Sequence, residues 1–130
     1  MIKKVKFFAK EAVLRARYIM EKDCLFCKII AGEIKTEPVL ETESVLAFND
    51  VNPVADVHIL IVPKRHIDSV LTINKENTED IMDMYSALQK IVKNKNIEAF
   101  RLTINGGKFQ HVGHLHMHLI SGKKVDWKKL

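Results

Sequence analysis

Four of the six histidines in the 130-residue chain stand between positions 111 and 118, as His111, His114, His116 and His118. The last three alternate with Leu115, Met117 and Leu119. On a β-strand, residues i, i+2 and i+4 face the same way, about 6.6 Å apart per step, while the residues between them face a core. Imidazole can donate, accept and attack near neutral pH. A row of imidazoles therefore suits three uses: ligation of a metal, nucleophilic attack at phosphorus assisted by a neighbouring ring, or satisfaction of buried polar groups. A second group is Cys24-Leu25-Phe26-Cys27. Its spacing lets two thiolates share one zinc ion, and a pair of free buried thiols is the competing reading. A thioredoxin-like redox pair is disfavoured because no βαβ pattern surrounds it.

The elements that must position these residues can be read from the apolar period. Short apolar runs at Val39-Leu40, Ser44–Asn49, Val57–Val62, Phe100–Ile104 and Val112–Ile120 read as strands. Turn signals separate several of them: Asp50 to Pro53, Pro63-Lys64 and Asn105-Gly106-Gly107. The stretch "CLFCKIIAGEI" reads as a helix or turn ending at Gly32. A longer helix is expected from an N-cap at Asn77 to Asn94, with Ile81, Met84, Tyr85, Leu88, Ile91 and Val92 on its apolar face. The layout is α+β, an antiparallel sheet with helices.

Composition bounds the rest. Apolar residues make up 47% and charged residues 28%, as in soluble globular domains. No apolar run approaches the ~20 residues of a membrane-spanning helix. Residues 1–22 carry seven Lys/Arg against two Glu, which accounts for the whole net charge of +5; the remainder balances fourteen against fourteen. The charge therefore belongs to an N-terminal basic amphipathic helix over 1–22, outlined by Val5, Phe8, Ala9, Ala12, Val13, Ala16, Ile19 and Met20. The domain itself is expected over 23–130, with no specific nucleic-acid partner. Two cysteines and no secretory pattern point to a reducing cytoplasm.

The run His114-Leu115-His116-Met117-His118-Leu119 resembles the His-φ-His-φ-His-φ signature of the histidine triad (HIT) superfamily. "CLFCKIIAGEI", "VLAFNDVNP" and "HILIVPKRHIDSV" are similar, in order and spacing, to the segments that precede the triad in its Hint-like branch. The match runs from about Cys24 to Trp127. The resemblance implies a five-stranded antiparallel sheet with helices, paired into a homodimer. It also implies a hydrolase that binds a purine nucleotide and cleaves a nucleoside phosphoramidate, or a related conjugate, through a covalent nucleotidyl-histidine. His116 would be the nucleophile, His118 a phosphate contact, and His58 an orienter and proton acceptor. Asp50 would hold the ribose hydroxyls. Phe26, Ile34, Phe48 and Val51 would wall the base, and Asn105, Gln110 and His111 would belong to the phosphate loop.

Several Hint-like proteins complete a CxxC zinc site with the histidine after "PK" and the first of the triad. The resemblance thus implies a structural zinc on Cys24, Cys27, His66 and His114. The chain departs from its relatives' pattern at His111, where Ser or Thr is usual, at Phe109, where Gly is usual, and in a loop two residues shorter. Alternatives to the phosphoramidase reading are a dinucleoside polyphosphate hydrolase, disfavoured by Gly113 before the triad, and a nucleotide-binding scaffold using the N-terminal helix. A zinc hydrolase with catalytic histidine ligands is a further one, and the CxxC pair offers zinc a better home.

Overall fold

A computed structural model describes residue 18 and residues 20–126. The helix expected over 1–22 lies outside the described residues apart from Tyr18 and residues 20–22, as does Trp127. Helix α1 covers Leu25–Ile30. It is followed by strands β1 (Pro38–Glu41), β2 (Val45–Asn49) and β3 (Val57–Pro63), helix α2 (Thr78–Asn94), and strands β4 (Arg101–Thr103) and β5 (Met117–Ser121). The strands form one sheet in the order β1-β2-β3-β5-β4, every pairing antiparallel. This is the expected α+β architecture.

Alternation along the strands divides the sheet into two faces. Val45, Ala47, Ile59, Ile61, Met117 and Leu119 face α2 and bury its Met84, Ala87, Leu88 and Ile91. Each of the Val, Ile, Leu and Met side chains contributes about 1.5–3 kcal/mol on burial, the two alanines less. The opposite face carries Leu46, Phe48, Leu60 and Val62 against Phe26, Cys27 and Ile30 of α1. Helix α2 has Glu79 and Asp80 in its first turn and Lys93 in its last, matching its dipole. Asn77 stands at its N-cap position as expected, but its side chain accepts from the Asn74 N–H of the preceding 3-10 turn (3.1 Å) instead of capping the helix.

The last strand is shorter than the alternating pattern suggests. Only Met117–Ser121 pairs; residues 112–116 have no strand partner. The neighbour on one side, β3, pairs with β5 only as far as Ile61, and β4 on the other side stops at Thr103. Leu115 N–H instead donates to Ile67 O at 2.7 Å. Of the three alternating histidines only His118 lies on the strand, so the three do not form one row on one strand face.

Candidate active site and metal centre

The segment before β5 turns His114 away from the other two rings. Its Nε2–H donates to Pro63 O at 2.8 Å, which leaves Nδ1 bare. That nitrogen lies 3.3 Å from Cys24 Sγ and 3.6 Å from Cys27 Sγ. His66 repeats the arrangement: Nε2–H donates to Asp68 Oδ1 (2.8 Å) and Nδ1 stands 3.3 Å from Cys27 Sγ. The four ligand atoms all lie within 4.8 Å of one another. Tetrahedral zinc with bonds of about 2.3 Å to sulfur and 2.0 Å to nitrogen requires S···N edges of about 3.6 Å. The donor set and spacing fit such an ion, and both rings have the outer hydrogen bond that fixes a metal-binding tautomer. Burial pushes the Cys27 thiol up to about 12. Four protein donors close the shell, so an ion here would cross-link α1 to the loop after β3 and the segment before β5.

Beside this cluster a cavity of about 410 Å³ opens on the α1 face of the sheet. Phe26, Ile29, Ile34, Phe48, Val51 and Leu60 form its apolar wall, and Asp50, His58, His111, His116 and His118 its polar side. His116 Nδ1–H donates to His114 O at 2.7 Å, so its Nε2 carries the free lone pair. Burial holds its pKa below the ordinary imidazole value, keeping the ring neutral. Phe26 packs edge-on against it, ring centroids 5.0 Å apart.

A directional relay runs behind His116. Val54 N–H donates to His58 Nδ1 (3.1 Å), so the proton of His58 sits on Nε2. That nitrogen is 2.8 Å from His118 Nδ1 and 3.4 Å from Asp50 Oδ2. His118, accepting at Nδ1, then carries its proton on Nε2, a buried donor with no partner among the described residues. Burial lowers the His58 pKa, and lowers that of His118 to about 4. Asp50, His58 and His118 bring three ligand atoms together as well, but the proton on His58 Nε2 makes this a hydrogen-bonded chain rather than a cation site.

Most of the residues selected from sequence converge here. Asn105 and Gln110 do not line the cavity; Gln110 Nε2 donates to Asp68 O (2.7 Å) and Val112 O (2.9 Å), holding the loop from behind. Leu25, Ile29, Lys35, Thr36, Asn49, Asn52, Leu60 and Val112 line it without having been selected. Leu60 was accessible as the strand-face mate of His58, two residues on. Lys35 and Thr36 sit between α1 and β1 and carry no sequence signal.

Comparison with known proteins places this geometry. Residues 23–129 match the family described as "Scavenger mRNA decapping enzyme C-term binding". A histidine triad protein structure from Clostridium difficile superposes with a TM-score of 0.78 at 43% identity, covering 83% of this chain and 97% of that one. The chain belongs to the histidine triad family. Other HIT relatives carry more specific names. An adenosine 5′-monophosphoramidase of Candida albicans is 36% identical over 107 residues, 77% of this chain and 70% of that protein. A 14 kDa zinc-binding protein of Zea mays is 39% identical over 124 residues, 91% of this chain and 94% of that protein.

Proposed function

We propose that this HIT-type hydrolase binds a purine nucleoside monophosphate group in the cavity and cleaves its bond to an amine leaving group, His116 being the nucleophile. The observation that carries the reading is the tautomer of His116: its proton is committed to the His114 carbonyl, so the nitrogen available to substrate is the one with the lone pair. That lone pair forms a P–N bond to the phosphorus while the bond from phosphorus to the leaving amine breaks. The departing amine takes its proton through His111 at the cavity wall. That proton comes from the His111 ring; water then attacks the nucleotidyl-histidine and returns a proton to His111 as the P–Nε2 bond breaks, and the nucleoside monophosphate leaves. Asp50, a carboxylate with two accepting oxygens, takes the ribose hydroxyls. His58 orients His118, whose Nε2–H supports the phosphoryl oxygens. Apolar Phe26, Ile34, Phe48 and Val51 enclose the base. The Candida relative's name supports the phosphoramidate class.

The Cys24, Cys27, His66 and His114 cluster is the seat of a structural zinc in this reading, supported by its donor spacing and by the maize relative's name. Zinc there supplies a cross-link and no open coordination position. Acid-quench mass spectrometry of the protein with an adenosine phosphoramidate tests the chemistry. The peptide holding residues 109–120 should carry one nucleotide, and His116→Ala should carry none. Turnover with no adduct in the wild-type protein, or an adduct that survives in His116→Ala, removes His116 from the role.

A further inference from the structure

We propose that His114 couples the two sites: a metal held by the Cys24, Cys27, His66 and His114 cluster fixes the orientation of His116, and with it the affinity of the cavity for nucleotide. The proposal rests on the nucleotide reading given above. His114 belongs to both sites through different atoms. Its ring Nδ1 faces the two thiols, and its backbone oxygen accepts the proton that decides which nitrogen of His116 is bare.

His114 also lies outside the paired part of β5 and follows Gly113, so the sheet ladder does not hold its carbonyl in place. Nearby anchors are the ring bond to Pro63 O, the His114 N–H bond to Val112 O within the same loop and the Leu115 N–H bond to Ile67 O, and the metal would add a fourth. A second connection runs through α1. Cys24 is its N-cap and Cys27 its third residue, and between them Phe26 packs nearly perpendicular to both rings, its centroid 5.9 Å from that of His114 and 5.0 Å from that of His116. Phe26 also lines the cavity. Pinning the cysteines therefore pins a wall of the nucleotide site. Both connections make His114 and Phe26 positioning residues for His116.

Coupling of this kind is reciprocal: whatever factor the metal adds to nucleotide affinity, the nucleotide adds to metal affinity. The test uses the full chain, zinc-loaded and zinc-stripped, with adenosine monophosphate as probe. Calorimetry should show about tenfold tighter binding to the loaded form, and the nucleotide should slow zinc loss to a chelator, within the usual range of such couplings. Nitrogen-15 spectra of the His116 ring, at mildly alkaline pH, should show a single Nδ1–H tautomer when loaded and an averaged ring when stripped. Equal affinities with identical His116 signals, the sheet being intact by circular dichroism, overturn the coupling. If stripping costs the sheet, cobalt in place of zinc gives the second readout. Saturating nucleotide should shift the visible spectrum of the cobalt, and an unchanged spectrum overturns the proposal. Nucleotide that binds neither form overturns this proposal together with the reading beneath it.

Discussion

In the role proposed for it, His116 can attack only while one ring nitrogen is bare and uncharged, and two features of its surroundings favour this. The His114 carbonyl takes the proton at Nδ1, and burial disfavours a second one. Replacing it with glutamine keeps a polar side chain of similar reach but no attacking nitrogen. His116→Gln should lower turnover of a phosphoramidate by about four orders of magnitude or more, as loss of a nucleophile does elsewhere. Adenosine monophosphate affinity, measured by calorimetry, should change only a few-fold. The neighbouring His118 supplies a second prediction. Folded, it stays neutral down to about pH 4, whereas in the unfolded chain it takes a proton near 6.5. Between those values the unfolded state binds more protons, so stability falls as the pH is lowered from about 6.5 to 4 and is recovered above that window. Thermal melts across the window should show the decline, to which the buried His58, His114 and His116 contribute with the same sign, and His118→Asn should make it shallower. Most of these chemical residues were legible because their types are rare and their spacing regular. Lys35 and Thr36 were not, since nothing in a loop of ordinary polar residues records which cavity it borders.

At the scale of elements, the two faces of the sheet separate stability from chemistry. Met84 is fully buried between α2 and the sheet, on the face away from the cavity. Met84→Ala should therefore cost about 2–5 kcal/mol in urea denaturation, the range for deleting a large core side chain. It should leave nucleotide affinity unchanged; a loss of affinity matching the loss of stability would contradict the separation. The sequence disclosed these strands and, through the helical period of 81–92, the apolar face of α2, but "VLAFN" and "HILIV" are nearly unbroken apolar runs and do not say which residue faces which side. It overstated the last strand. The alternation through His114 and His116 has the strand period, but the first of these histidines is shaped by the thiols and the Pro63 carbonyl, contacts distant in sequence. A local pattern carries no record of where the neighbouring strands stop.

For the whole molecule, the two edges of the sheet differ in what they can accept. The β1 edge begins with Pro38, which lacks an N–H, and its register shifts between Pro38 and Leu40. Both features discourage strand addition. The β4 edge has neither, and Phe100 beside it is 44% exposed. A second copy meeting it antiparallel across a twofold axis would cover that edge and bring two five-stranded sheets into one, consistent with the homodimer that the family resemblance implies. Only self-complementary pairing closes in this way, so the assembly should stop at two. Sedimentation equilibrium should give twice the chain mass of 14.9 kDa, independent of loading concentration in the micromolar range. Phe100→Asp places a charge beside the covered edge, where an unpaired ion is costly to desolvate. That variant should sediment as a monomer and keep its far-ultraviolet circular dichroism. A wild-type protein that sediments as a monomer, or a Phe100→Asp protein that remains dimeric, would place the contact elsewhere or remove it.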